Sequence, residues 1–518
     1  MPSDLGKIWA IFTAAERRKA VGMLVLVALM AAAETLGVLS VMPFLSVLGR
    51  PAVIHENAIL QALYGRFGFQ TSRDFMIALG LASIATVIGA ALFKTVTLHL
   101  INRFIHLLRH SVSARLLTCY LHQPYEFFLT RNPSQLSRNI LSEVDQLLFS
   151  MIQPLAQMLA QGAVVIAMAA LVFWYDPITA TVIVIAVGLL YGTIYSLVRK
   201  RLGRIGRERQ VANGQRFQAC NEALGGIKDV KVTHSTASYQ GKFNRASREL
   251  SRHMAAGETL AQTPLYLVEA VGYTGLILIA LALMLSRQDI AHVLPALGLY
   301  AFAAYRMLPA AQIMYRGFAK LKFSSAALDA IHYDLTLGGE AAPAPVRALV
   351  PHREIRLDDV SYAYPSTPDK LVLDHFNLAI PVGTSVGIIG RTGAGKSTVM
   401  DIMLGLLSPR AGSVSVDGIV VDRGNVSAWQ RAVGYVPQHI YLADASVAEN
   451  IAFGVSPGEI DMAAVERAAR AAQIHKFVVD ELENGYDTSI GDRGIRLSGG
   501  QRQRVGIARA LYRDPPVL

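Results

Sequence analysis

Apolar residues dominate six stretches of the chain, at about 21–48, 75–101, 151–174, 177–198, 264–285 and 290–315. Each reaches the roughly 20 residues that a helix needs to cross a bilayer, so the pattern predicts six membrane-spanning helices. Only Asp176-Pro177 divides the third run from the fourth, which makes that connection tight. Long segments separate the second run from the third and the fourth from the fifth. They are too polar for lipid yet keep helical periodicity, and so read as the same helices continuing into water. Each is expected to reverse at a turn. The first is "HQPYEFFLTRNPSQ" (122–135), with Pro124 and Asn132-Pro133 as breakers, and the second is "NGQRFQACNEALGG" (213–226).

Between the first two runs, "PAVIHENAILQALYGRFGFQTS" (51–72) sets Ile59, Leu60, Leu63, Tyr64 and Phe67 at helical spacing. Two readings are open: a short helix lying on the outer membrane surface, and a packed external loop. After residue 335 the pattern changes. "TLGGEAAPAPVRALVPHRE" is a Gly/Pro/Ala linker, and Val/Ile-rich strands then alternate with amphipathic helices. The expected organisation is an all-α polytopic membrane domain over 1–335, a linker over 336–353 and an α/β P-loop NTPase domain over 354–518.

Composition changes this picture little. With 52% hydrophobic and 17% charged residues, the chain has a membrane protein's balance. The net charge of +11 would point to nucleic acid in a soluble protein. Here the cations crowd the segments between apolar runs, as in "RKRLGRIGRER" (199–209), so the bilayer is the expected partner and nucleic acid is not. The positive-inside rule then puts both termini and both long polar segments in the cytosol. Cys119 and Cys220 have no metal-ligand spacing and read as reduced structural thiols. The N-terminus does not read as a signal peptide, because its apolar run is too long for one.

The chemistry sits in the last third. "VGIIGRTGAGKST" (386–398) places Gly390, Gly393, Gly395, Lys396 and Ser397 in a G-x-x-x-x-G-K-[ST] loop, after an apolar stretch expected to be a strand and before a helix. Glycines let the backbone wrap so that successive N–H groups face phosphate oxygens, and the helix start adds its dipole. Lys396 can reach the β- and γ-phosphates, and the Ser397 hydroxyl can bind Mg²⁺. Some 100 residues on, "LSGGQ" (497–501) opens a second helix. The N–H groups of Ser498, Gly499 and Gly500 there read as a second anion cradle.

The pair "GRTGAGKST" and "LSGGQRQR" resembles the ATP-binding cassette of ABC transporters, and the six runs ahead of it resemble an exporter's membrane half. The resemblance implies ATP and Mg²⁺ as cofactors. It also implies that Tyr364 stacks on adenine, that Thr398 belongs to the nucleotide loop, and that Gln438 senses Mg²⁺ and acts in catalysis beside Lys396. "SIGDRG" (489–494) is similar to an exporter loop usually written with Glu, so Asp492 departs from the pattern. The resemblance further implies a homodimer, with ATP held between the Lys396 loop of one chain and Ser498, Gly499, Gly500 and Gln501 of the other. Pro516-Val517-Leu518 reads as the entry to a buried strand. In the family that strand carries the Mg²⁺-binding Asp and the catalytic Glu, with a switch His later. The chain is therefore expected to be cut short at its C-terminus and to lack hydrolysis, whereas a longer parent would be an ATPase.

Charges inside the apolar runs bear on cargo. Glu34, Lys94 and Arg306 each lie within one, and a charge at mid-membrane costs about 2.5–3.5 kcal/mol on insertion scales. Lys94 either snorkels to the interface or faces a cavity. Glu34 and Arg306 either pair with one another or line a wall suited to an anionic headgroup. "AETLGVLSVMPFLSVL" (33–48) and "LYAFAAYRMLPAAQIM" (299–314) resemble helices of bacterial lipid-linked oligosaccharide flippases. That resemblance implies a polyprenyl-diphosphate-linked saccharide as cargo in the inner membrane. The alternative is an exporter of peptides, drugs or lipid A-like lipids.

Overall fold

The computed structural model describes residues 2–49, 51–175, 177–285, 290–338, 347–491 and 494–518. The chain divides into two compact units, Met1–Gln123 with Arg131–Gly339, and Pro124–Thr130 with Glu340–Leu518. The short helix Tyr125–Thr130, read from sequence as part of a turn, thus belongs with the second unit.

In the first unit all six apolar runs fall on long helices: Ala14–Gly49, Ser72–Leu121, Gln153–Tyr175, Pro177–Gly225, Thr236–Leu285 and Ile290–Phe323. Among the described residues, the stretches Ala14–Gly49, Ser72–Leu121 and Pro133–Ala167 are long and apolar enough to cross a membrane. The helix Ser72–Leu121 has 50 residues. At 1.5 Å per residue that is about 75 Å, more than twice the hydrocarbon core, so half of it must lie in water. Its start is fixed by Thr71, whose hydroxyl accepts from the Asp74 N–H at 3.1 Å. The first two long helices meet through glycines, Gly37 against Val87 and Ala90, and Gly80 against the Phe44 ring.

The first reversal lies where the breakers place it, with Asn132 capping Pro133–Arg138 by accepting from the Ser134 N–H at 2.9 Å. The second does not. Residues 213–225 continue the helix Pro177–Gly225, and the chain turns only around the short helix Ile227–Val232. The Gly225-Gly226 pair breaks the helix, whereas the single Gly214 does not. Gly214 packs so closely on Arg138 that an added Cβ would meet Nη1 at 2.1 Å.

The polar ends of these helices are held by buried polar groups that the apolar pattern does not reveal. Glu143 is fully buried and accepts from Arg209 Nη2 at 2.8 Å, while Asn213 donates to Ser142 Oγ at 2.9 Å. Nearby, Asp334 accepts from Tyr120 OH and from Asn139 Nδ2 at 2.9 Å. Burial and this carboxylate push the Tyr120 phenol well above its usual range. A wide π-turn, Asn139–Glu143, carries Asn139 and Glu143 inward, and a second, Leu148–Ile152, buries Leu148, Met151 and Ile152.

Residues 58–66 form a helix, capped by Asn57, whose Oδ1 accepts from the N–H groups of Ile59 and Leu60. Leu60 is buried and Tyr64 stacks edge-on against Phe75 at 5.3 Å, while Ile59 and Phe67 stay exposed at 72% and 70%.

The second unit holds a four-stranded antiparallel sheet in the order β2-β1-β3-β4, made of β1 (Glu354–Tyr362), β2 (Leu373–Pro381), β3 (Ala411–Val416) and β4 (Ile419–Val420). Leu357, Val360 and Tyr362 of β1 pack with Val399 and Ile402 of the helix Lys396–Met403. A separate helical core gathers Val447, Ile451, Val465, Ile474 and Val505. The stretch before the glycine loop corrects the strand expectation. Residues 384–390 form no strand, and Val386 and Ile389 are exposed at 47% and 95%. Apolar β-formers need a ladder partner, and none lies beside this stretch among the described residues. Val517 does begin a parallel pairing, with the Gly434 N–H donating to its carbonyl at 2.8 Å.

Candidate nucleotide site

The glycine loop is shaped by backbone conformations that side chains resist. Gly393 and Gly395 have φ of 83° and 87°. A Cβ on Gly395 would also come within 3.0 Å of Leu373 and 3.2 Å of the Val372 carbonyl. Gly395 precedes the helix Lys396–Met403, so the N–H groups of Lys396, Ser397 and Thr398 have no helical acceptor. Lys396 folds back over the loop and donates through Nζ to the carbonyls of Gly390 at 2.9 Å and Arg391 at 2.8 Å. The ammonium is thus held over the loop, next in sequence to N–H groups that lack a helical acceptor, and such a combination of cation and free donors can hold phosphate oxygens.

Ser397 is exposed, with its hydroxyl available to a cation. Thr398 is different. Its side chain is 4% exposed and its hydroxyl lies 3.0 Å from Tyr364 OH, so only its backbone N–H is left for phosphate. That bond anchors the Tyr364 ring beside the loop, and Tyr362 braces it edge-on at 5.2 Å. Gln438 is exposed. Asp492 lies outside the described residues.

Glu126, on the short helix Tyr125–Thr130, accepts from Tyr362 OH at 3.0 Å. Burial, and then this carboxylate, push the Tyr362 phenol above its usual range. The segment that interrupts the long membrane helices is therefore tied to the residue bracing the Tyr364 ring. Sequence reading missed this link. Glu126 beside two aromatic residues in a turn was its only signal.

The second cradle differs from expectation in one atom. Ser498 caps the helix Gly499–Leu511 in a reciprocal box: its N–H donates to Gln501 Oε1 at 2.8 Å and its hydroxyl accepts from the Gln501 N–H at 3.3 Å. The Ser498 N–H is therefore occupied. Gly499 and Gly500 carry the exposed first-turn N–H groups, and a Cβ on either would meet nothing within 4 Å. Arg509 locks this helix in place, donating to the carbonyls of Asn450 at 2.9 Å and Tyr441 at 2.8 Å, with its guanidinium over Phe453.

In the membrane unit Glu34 and Lys94 form an ion pair at 2.6 Å, with the carboxylate side chain 6% exposed. This pairing was not among those weighed from sequence, which set Glu34 against Arg306. The Arg306 side chain lies outside the described residues.

Glycine loop, helix start, lysine and a second helix start, all later in the chain than a set of long apolar helices, point to a nucleotide-driven membrane protein. Comparison with known proteins agrees. The model of the ABC transporter family matches residues 373–518, and that of the ABC transporter transmembrane region matches 21–287. The chain belongs to the ABC transporter family, in the exporter arrangement. It is 30% identical over 417 residues to the ATP-dependent lipid A-core flippase of Chromohalobacter salexigens, covering 79% of this chain and 70% of that protein. It is 27% identical over 522 residues to the protein of the same name from Cupriavidus metallidurans, covering 99% and 83%. A bacterial Atm1-family ABC exporter solved with ATP bound has the same fold, with a TM-score of 0.76 and 21% identity over 97% of this chain and 85% of that one. The expectation of a cut-short chain without hydrolysis gains no support here: the ABC transporter model finds the cassette domain over residues 373–518. The protein is a multi-pass, ATP-dependent exporter.

Proposed function

We propose that this exporter moves a polyprenyl-diphosphate-linked oligosaccharide across the bacterial inner membrane, with both termini in the cytosol and two copies sharing two ATP sites. The observation that carries the cargo reading is the capped helix Ala58–Arg66. Its inner side is anchored through Leu60 and Tyr64, while Ile59 and Phe67 stay bare. A bare apolar face on an anchored helix suits a long isoprenoid tail better than water. Sharing of ATP is supported by the count of parts, one Lys396 loop and one Ser498 turn in each chain. ATP would meet the N–H groups of Lys396, Ser397 and Thr398, the Lys396 ammonium and the Tyr364 ring, and Mg²⁺ would meet Ser397 and Gln438. Gly499, Gly500 and Gln501 would close on it from the second copy. Closure would favour one arrangement of the membrane helices and release the other.

A second reading, a lipid A-like cargo, is favoured by the names of the relatives. The Glu34–Lys94 pair bears on both. Lys94 already has a carboxylate, so its pull on a diphosphate is reduced. Proteoliposomes carrying a labelled polyprenyl-diphosphate saccharide or a labelled lipid A-core test the choice. ATP-dependent movement of the first, reduced by Ile59→Asp with Phe67→Asp, is expected. Movement of the lipid A-core alone selects the second reading.

A further inference from the structure

A concentration of cations lies in the membrane unit. A cavity of about 710 Å³ opens where the helices Pro177–Gly225 and Ile290–Phe323 come together, and it is lined by Lys200, Arg201, Arg204, Arg207 and Lys322. Two glycines build it. A Cβ on Gly206 would lie 2.0 Å from the Phe323 carbonyl, and one on Gly203 would be 3.1 Å from Lys322 Cε. Both positions keep the helices close, and Gly203 lets the Lys322 chain lie across the first helix. Ser325 adds a hydroxyl at the rim.

Five cations in one cavity repel one another, and little in the fold offsets this. Arg204 lies 3.7 Å from Glu208, one turn along the same exposed helix face, and Glu208 also faces His253 at 3.7 Å. Lys200, Arg201, Arg207 and Lys322 pair with no carboxylate among the described residues. Such a cluster lowers its energy by taking an anion of more than one charge, and the guanidinium fork suits phosphate oxygens. Height along the helix indicates the source of that anion. The apolar run ends at residue 198, and Leu197, 77% exposed, lines the same cavity one turn before Arg201. Apolar surface meets cations here where acyl chains would meet headgroups.

We infer that this cavity binds the net-anionic, phosphate-bearing headgroup of a membrane lipid, with Arg201, Arg204, Arg207, Lys200 and Lys322 as its ligands. The site needs only a chain embedded in a bilayer and does not depend on which cargo is moved.

Native mass spectrometry of the detergent-purified full chain tests it, with phosphatidic acid, phosphatidylcholine and inorganic phosphate as probes. Phosphatidic acid is expected to bind the wild type, and phosphatidylcholine is not. A cation near an anionic lipid contributes about fivefold in affinity, so Arg201→Gln/Arg204→Gln/Arg207→Gln should lose roughly a hundredfold. Each single variant should lose a smaller, graded share. Arg245→Gln/Arg248→Gln/Arg252→Gln on the helix Thr236–Leu285 removes equal charge elsewhere and should keep binding. An unchanged unfolding midpoint certifies the fold of each variant. Equal losses in the two triple variants would reduce the effect to net charge and overturn the site. Inorganic phosphate binding as tightly as phosphatidic acid would overturn the lipid assignment.

Discussion

Two helix starts in the cassette have nearly the same geometry and different chemistry. Ser446 opens Val447–Ile451 at φ −66° and ψ 164°, and Ser498 opens Gly499–Leu511 at φ −65° and ψ 163°. Both close a reciprocal box, with the serine N–H donating at 2.8 Å to the side chain three residues on. The differences are chemical. The Ser446 box ends in Glu449 and is followed by the buried Val447 and Ala448. The Ser498 box ends in the neutral Gln501 and is followed by the exposed Gly499 and Gly500. A carboxylate satisfies a helix start and also fills its positive end. An amide satisfies the same N–H and leaves the field open. The first start is a structural joint, and the second, under the proposed function, receives an anion.

Removing the cation from the glycine loop strains this comparison hardest. Lys396→Ala leaves both boxes intact. If the Lys396 loop alone grips the phosphate chain, affinity for a fluorescent ATP analogue should fall roughly a hundredfold, two charge-assisted contacts being worth about 3 kcal/mol. Binding within a few-fold of wild type would mean that the exposed Ser498 turn holds nucleotide by itself.

Gln501→Glu makes the second box resemble the first. The cap should survive and the unfolding midpoint should hold or rise. ATP-driven association of two copies should weaken about tenfold, because a carboxylate then occupies the anion's end of the dipole. Nucleotide binding to the Lys396 loop should change little. Unaltered association in a cross-linking assay would count against an anion role for this start. Ser498→Ala probes the other half of the box. It should cost about 1 kcal/mol as a lost cap, whereas Ser498→Asn should restore most of it.

The same contrast explains what was legible in the sequence. Gly393, Gly395, Lys396 and Ser397 are dictated by local chemistry, so a short pattern suffices to find the loop. The Gly499-Gly500 turn is legible for the same reason. Pairings that depend on how distant helices rotate were not legible. Glu34 faces Lys94, and nothing in either run sets that rotation. Glu143 with Arg209, and Glu126 with Tyr362, likewise join segments far apart in the chain. Long apolar runs were enough to locate the membrane helices, because length and apolarity are properties of the run itself. The strand expected just before the glycine loop failed because strand formation depends on a neighbour as well as on Val and Ile.

The smallest expected effect isolates the charge in the first box. The Ser446 N–H and hydroxyl hold the Glu449 carboxyl below its usual range. A carboxylate with a lowered folded pKa contributes stability that is fully present above the unfolded value, near 4.5, and is lost as pH falls through the folded one. Glu449→Gln keeps the hydrogen-bond geometry and removes only that titration. The wild type should therefore unfold at a slightly higher temperature than the variant at pH 7, and the gap should shrink as the pH falls below 4.5. Gln501→Glu should create a gap of the opposite assignment, with the variant more stable than the wild type at pH 7 and equal to it in acid. Unfolding midpoints of the three proteins across that range measure both gaps. A wild-type advantage that persists unchanged into acid would assign the benefit of Glu449 to packing, and the distinction between a charged joint and a neutral anion cradle would then fail at its structural end.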